Sequence, residues 1–294
     1  MNVLTIVGIS KSYGAITALN NLSLQIRAGD IHGLLGPNGS GKTTTLGIVL
    51  GIIKPTNGTY EWFDGLPAQM ARRKLGALLE TPNFYPYLNA DDNLSIVRHI
   101  KRSSESDFDA LLDLVQLKGR RKSKFNTYSL GMKQRLAIAA AMVGDPEVLI
   151  LDEPTNGLDP EGIADVRNTI IRIGDSGKTI IMASHILDEV EKMCTHVSIL
   201  KQGQIIAEGL VGAILSDDLC IEIGSEDLSK LGEALANIPG IRKMDEKNGW
   251  FELMVDPDVT ASEINHRLLK MGLQINHLVV RKNRLEDEFL EVIK

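Results

Sequence analysis

The segment GPNGSGKT, Gly36 to Thr43, constrains this chain more than any other feature. It follows the short apolar run IHGLLG (Ile31 to Gly36) and opens into TTTLGIVLGI, so a strand, a glycine-rich loop and a helix start come in that order. The pattern G-x4-G-K-[ST] is met at every position. Successive backbone N–H groups of Asn38, Gly39, Ser40, Gly41 and Lys42 can wrap around an anion, and the helix start adds about half a positive charge. Pro37 lies within the loop and Thr44 follows it. Lys42 is placed to reach β- and γ-phosphates, and the Thr43 hydroxyl to hold Mg²⁺. The alternative is a glycine-rich turn that binds nothing, and the Lys-Thr pair after a strand argues against it.

The sequence around this loop predicts a parallel α/β sheet. VLILD (Val148 to Asp152) and TIIMAS (Thr179 to Ser184) are nearly continuous apolar runs, as strands covered on both faces require. VSILKQG (Val197 to Gly203) followed by QIIAEG reads as a hairpin. From Ala90 to Val143 helical periodicity dominates, with Leu111, Leu114, Val115 and Leu117 on one apolar face. This predicts a helical insertion over residues 86–145 within an α/β domain of residues 1–215. The pattern resets at Leu215 to Asp218. LCIEI alternates as a strand; Leu228, Leu231, Leu235 and Ile238 share a helical face; Asn248-Gly249 marks a two-residue hairpin; Ile264, Leu268 and Met271 mark a second helix. QINHLVV and a terminal helix with Leu285, Phe289 and Ile293 complete a βαββαβ order, which predicts a small ferredoxin-like α+β domain over residues 216–294.

Composition narrows the function. Lys plus Arg number 32 against 38 for Asp plus Glu, a formal net charge of −6, which disfavours binding bulk nucleic acid. The two cysteines, Cys194 and Cys220, have no CxxC spacing, so a Cys-type metal site is not expected. No basic-then-apolar leader opens the sequence, and charged residues such as Lys42, Asp145 and Asp152 interrupt its apolar stretches. A chain of this kind is not expected to cross a membrane.

Two further motifs accompany the loop. VLILDEPTNGLDP (Val148 to Pro160) delivers Asp152 to the carboxyl end of a buried strand, where an open parallel sheet binds ligands. Asp152 can hold Mg²⁺, and the adjacent Glu153 can polarise an attacking water. Adjacent acids alone would be a solvated strand end; beside a phosphate loop they read as catalytic. YSLGMKQR (Tyr128 to Arg135) then leads into the apolar helix LAIAAAMV, with Ser129 placed to cap it.

Together these segments resemble the ATP-binding cassette (ABC) ATPases, over about the first 215 residues and in the family's order. The family's signature is usually LSGGQ. Here Ser129 and Gly131 match, while Tyr128, Leu130 and Met132 depart from it. The resemblance implies a P-loop ATPase that binds ATP and Mg²⁺, with Glu153 and His185 (in ASH) as catalytic residues. It implies that Tyr13 stacks on adenine, that Asp159 (in NGLDP) belongs to the loop crossing to a partner subunit, and that Ser129 and Gly131 face the γ-phosphate of a second copy. The remaining histidines match nothing in the family and read as structural. Glu80, in LLETPNFYP, stands where the family usually has a glutamine touching Mg²⁺. That variant looks like the bacterial exporters and immunity proteins for bacitracin and lantibiotics; the other reading is a simple replacement in a generic exporter.

The implied partners are a transmembrane permease on a separate chain and a second ATPase subunit, in a homodimer or heterodimer at the cytoplasmic face of the membrane. A soluble ABC-type switch acting on ribosomes or DNA is the alternative, disfavoured by the short insertion and the single cassette. A P-loop kinase would lack the DEP and SLGMK segments. The C-terminal domain reads either as an interface-covering addition or as a ligand-sensing one. LEDEFLEVI is similar to the tail after many exporter cassettes.

Overall fold

The computed structural model describes residues 1–79, 81–103, 106–214, 219–247, 249–256 and 258–282. The chain divides into two compact units, Met1–Val211 and Gly212–Lys294. The first opens with β1 (Asn2–Tyr13), β2 (Ile16–Arg27), β3 (Ile31–Leu35), α1 (Lys42–Val49), β4 (Asn57–Trp62), α2 (Ala68–Arg73) and β5 (Leu75–Leu78). Three helices follow, α3 (Ala90–Lys101), α4 (Phe108–Leu114) and α5 (Leu130–Met142). It then continues through β6 (Val148–Asp152), α6 (Pro160–Asp175), β7 (Thr179–Ser184), α7 (Leu187–Met193), β8 (His196–Lys201) and β9 (Gln204–Leu210).

The expected parallel sheet has the order β5-β6-β7-β3-β8-β9, with only β9 antiparallel. Every residue of β3, β6 and β7 is buried, which accounts for their unbroken hydrophobicity. Because β3 lies between β7 and β8, the loop after it opens at the carboxyl edge beside the ends of its neighbours. The β8–β9 hairpin closes with Lys201 opposite Gln204, through Gln202 and Gly203 at φ 49° and 78°, the conformation of a type I′ turn.

A second sheet, for which the sequence carries little signal, is present in the same unit. Strands β2-β1-β4 form an antiparallel three-stranded sheet in a region whose expected architecture is a parallel α/β sheet ending in one hairpin. Its signal is present in β2, where buried Leu22, Leu24 and Ile26 alternate with exposed Ser23, Gln25 and Arg27. Repeated register shifts along β1 break the same alternation there. The inner faces of both sheets share one core with α1, built from residues such as Ile6, Leu24, Leu46, Ile48, Ile150 and Ile181.

In the helical region the expected apolar face is displaced. Helix α4 ends at Leu114, so Val115 and Leu117 are buried from the turn beyond it, and Leu112 is the helix's fully buried residue. Gln116 at φ 56° makes that turn.

Helix α8 (Val211–Ile214) begins at the last residue of the first unit; the second unit then contains β10 (Leu219–Ser225), α9 (Leu228–Ala236), β11 (Ile241–Lys247), β12 (Trp250–Val255), α10 (Ala261–Lys270) and β13 (Ile275–Lys282). The sheet order β11-β12-β10-β13, antiparallel throughout, is the ferredoxin-like arrangement. Leu231, Leu235, Ile264 and Leu268 fill its core, as their spacing predicts. Met271 does not: it follows the end of α10 and is 55% exposed. Lys247 pairs with Trp250 across the expected hairpin, where Gly249 has φ 93°. Asn248, the reset at Leu215 to Asp218 and the predicted terminal helix lie outside the described residues.

Candidate functional site

The loop after β3 is fixed from three sides. The Gly36 N–H donates to the Ser184 carbonyl at 3.2 Å, tying the loop start to the end of β7. A Cβ on Gly36 would stand 2.4 Å from the Leu200 carbonyl oxygen of β8. Gly41 has φ 110°, and a Cβ there would lie 2.6 Å from Leu19 Cδ2 and 2.7 Å from the Ala18 oxygen of β2. The contribution of β2 was not visible in the sequence, because nothing in the loop's spacing says which strand presses on it. Gly39, at φ 81°, has no atom within 4 Å of the same construction and marks the open side.

Lys42 is 5% exposed, and its ammonium donates to the carbonyls of Gly36 at 2.7 Å and Pro37 at 3.2 Å. The amides of Lys42, Thr43 and Thr44 in the first turn of α1 have no acceptor within the helix. Asn38, Gly39 and Thr43 are exposed beside them. The Ser40 N–H is taken by the Pro37 carbonyl at 3.1 Å, but its buried hydroxyl has no partner among the described residues. Unsatisfied donors gathered beside a buried cation suit a polyanion.

Strand β6 delivers Asp152, 1% exposed, to the same edge. The next residue, Glu153, turns sharply at φ 49° and donates its N–H to the Ala183 carbonyl at 3.0 Å. Such a conformation in a residue other than glycine costs about 1–3 kcal/mol and is met where the surroundings enforce it. Its effect is to aim one carboxylate at two partners. Glu153 Oε1 is 3.4 Å from Lys42 Nζ, and Oε2 is 2.8 Å from His185 Nδ1, on the turn after β7. Residues 42, 153 and 185 thus meet at the sheet edge.

Other predicted residues stand apart. Ser129 caps α5, its Oγ accepting from the Met132 N–H at 3.2 Å. Gly131 is buried where α5 meets α6, and a Cβ there would lie 3.3 Å from Gly162 Cα. Asp159 caps α6 of its own chain, accepting from the Gly162 N–H at 3.1 Å. Tyr13 is 48% exposed at the end of β1, with the Lys11 ammonium 4.9 Å from its ring centre. Glu80 lies outside the described residues.

A divalent cation fits this donor set only in part. Thr43 and Asp152 offer hard oxygen ligands, but among the described residues no group of three or more His, Cys, Asp or Glu side chains could hold a metal unaided. That suits Mg²⁺, which is commonly held by one or two protein oxygens together with water and substrate phosphates.

A phosphate loop at the carboxyl edge of a parallel sheet, with a lysine, an aspartate and a strained glutamate beside it, defines a P-loop nucleotide-binding protein. Comparison with known proteins narrows this. The family model described as ABC transporter matches residues 19–156. The bacitracin transport ATP-binding protein BcrA of Enterococcus faecalis is 33% identical over 291 residues, covering 97% of this chain and 94% of that protein. The lantibiotic transport ATP-binding protein SrtF of Streptococcus pyogenes is 41% identical over 206 residues, covering 70% of this chain and 90% of that one. Among solved structures, a dimeric ATP-binding cassette, MJ0796, bound to ADP and Pi after hydrolysis, matches with a TM-score of 0.62 and 27% identity, covering 71% of this chain and 98% of its own. The chain belongs to the ATP-binding proteins of ABC transporters and is an ATP-hydrolysing cassette of that family. Among the described residues no helix is long and apolar enough to cross a membrane.

Proposed function

We propose that this chain is the ATPase motor of an exporter for antimicrobial peptides such as bacitracin or lantibiotics, driving a permease on a separate chain from the cytoplasmic face of the membrane. The observation that carries the catalytic reading is the Glu153 carboxylate shared between Lys42 and His185. The substrate class rests on BcrA and SrtF, whose names state bacitracin and lantibiotic transport.

In this reading the free loop amides between residues 38 and 44, that of Ser40 excepted because it is bonded to the Pro37 carbonyl, and the Lys42 ammonium hold the β- and γ-phosphates of ATP, and Tyr13 stacks on the adenine. Thr43 and Asp152 hold Mg²⁺, which when bound neutralises charge on the phosphate oxygens. Glu153 accepts a proton from the water that attacks the γ-phosphorus, the bond to the bridging oxygen breaks, and ADP is the leaving group. His185 keeps Glu153 oriented and contacts the γ-phosphate. Ser129 and Gly131 of a second subunit close over the nucleotide, with Asp159 at the crossing. A soluble switch unconnected to transport is not favoured, since both named relatives are transport proteins.

Lys42→Ala tests the loop assignment. ATP hydrolysis by the purified protein is expected to fall at least about 100-fold, in line with the loss of a principal electrostatic contact. Normal hydrolysis by that variant would remove the loop from the reading.

A further inference from the structure

Helix α6 joins the loop that starts at Glu153 to two neighbouring helices, through residues that the proposed function does not use. Asp165 and Arg167 lie two positions apart, about 200° around the helix, and therefore face opposite ways. Asp165 Oδ2 forms an ion pair with an Arg135 guanidinium nitrogen of α5 at 3.2 Å. Arg167 reaches the other way and donates to Glu189 Oε1 of α7 at 3.3 Å.

Glu189 is an unusual place for an acid. Its side chain is 5% exposed, and Oε2 has no hydrogen-bond partner among the described residues. Burial pushes its carboxyl above the usual carboxylate range, and the Arg167 charge pulls it back. A carboxylate buried there needs its cation. Glu189 lies in the first turn of α7, four positions after His185. The turn between them is short and tied by the Ile186 N–H donating to Ser184 Oγ at 3.0 Å. On its other side α7 rests on β3 where Gly33 leaves room: a Cβ there would stand 2.8 Å from Val190 Cγ1. The placement of α7, and of His185 just before it, is thus set by the sheet on one side and by Arg167 on the other.

We propose that the Arg167–Glu189 pair is a positioning contact for catalysis, holding His185 against Glu153 by fixing α7 to α6. The pair also closes a ring: Glu153 to His185, α7 to Glu189, Arg167 along α6, and back through Asp159 to Glu153. A shift of the 153–159 loop would then move His185 with it. This rests on the reading of His185 as a contributor to turnover, and the test separates the two.

The experiment measures kcat and KM for ATP hydrolysis in Glu189→Gln, Arg167→Met and His185→Ala, and in Glu189→Gln combined with His185→Ala. Arg167→Met keeps the apolar stem on the more exposed partner, so it decides the matter if Glu189→Gln folds poorly. Each pair variant is expected to lower kcat by about tenfold with KM changed less than about twofold, the pattern of lost positioning rather than lost binding. In the His185→Ala background, Glu189→Gln should add less than about twofold, because both changes remove one arrangement. An unchanged kcat in the variants that fold, or losses that multiply in the double variant, would overturn the proposal. Unchanged turnover in His185→Ala would instead overturn the reading of His185 beneath it.

Discussion

Glycines at the phosphate loop act for different physical reasons, and the difference is measurable. Gly41 has φ 110° and a Cβ there would stand 2.7 Å from β2 backbone, whereas Gly39 has φ 81° and a Cβ there would meet open space. Gly41→Ala therefore adds a collision to a backbone penalty of about 1–3 kcal/mol. Gly39→Ala carries the backbone penalty alone, but its methyl projects where a triphosphate is proposed to sit. Urea unfolding should rank Gly41→Ala as the less stable of the two, while Gly39→Ala loses ATP affinity out of proportion to its stability. Equal losses of stability would show that the contact with Ala18 and Leu19 is not felt. The sequence located these residues because a phosphate loop has a rigid spacing. It could not reveal that Glu153 joins Lys42 to His185, since 111 residues separate 42 from 153 and only the sheet order brings them together.

Among elements, β3 shows how completely the central sheet excludes water. His32 lies on it at 4% exposure, with Nε2 2.9 Å from Ser198 Oγ and its ring parallel to that of His196 on β8. Burial, with a smaller contribution from the His196 charge, lowers its pKa to about 4. The unfolded chain then binds more protons than the folded one between that value and about 6.5, so stability is full above the window and falls as pH drops through it. The loss is at most about 3 kcal/mol. Denaturant midpoints at pH 7 and pH 5 should differ less in His32→Gln than in the parent; an identical difference would place the acid sensitivity elsewhere in the chain.

Strands β3, β6 and β7 were readable because two-sided burial leaves an unbroken apolar run. The antiparallel sheet was not, because the register shifts of β1 blur the alternation that its partner β2 keeps. Met271 and the Leu111 face show a related error, since helical spacing continues in a sequence after the helix has stopped. The Arg167–Glu189 pair had no local signature at all; 22 residues separate its members, and neither type is unusual on a helix surface.

For the whole molecule, the proposed site is half of something. Lys42, Glu153 and His185 meet within one chain, while Ser129, Gly131 and Asp159 spend their contacts on the starts of α5 and α6. In an isologous dimer each copy would supply what the other lacks. Glu153→Gln removes the proton acceptor and leaves the phosphate-binding groups in place, so it should bind ATP and remain closed. The most direct measurement is the light-scattering mass of purified Glu153→Gln with and without ATP. The mass is expected to change from the chain mass of 32.2 kDa to about twice that value when ATP is added, and to return when ATP is removed. A mass that stays at the single-chain value while ATP is demonstrably bound would contradict that dimer.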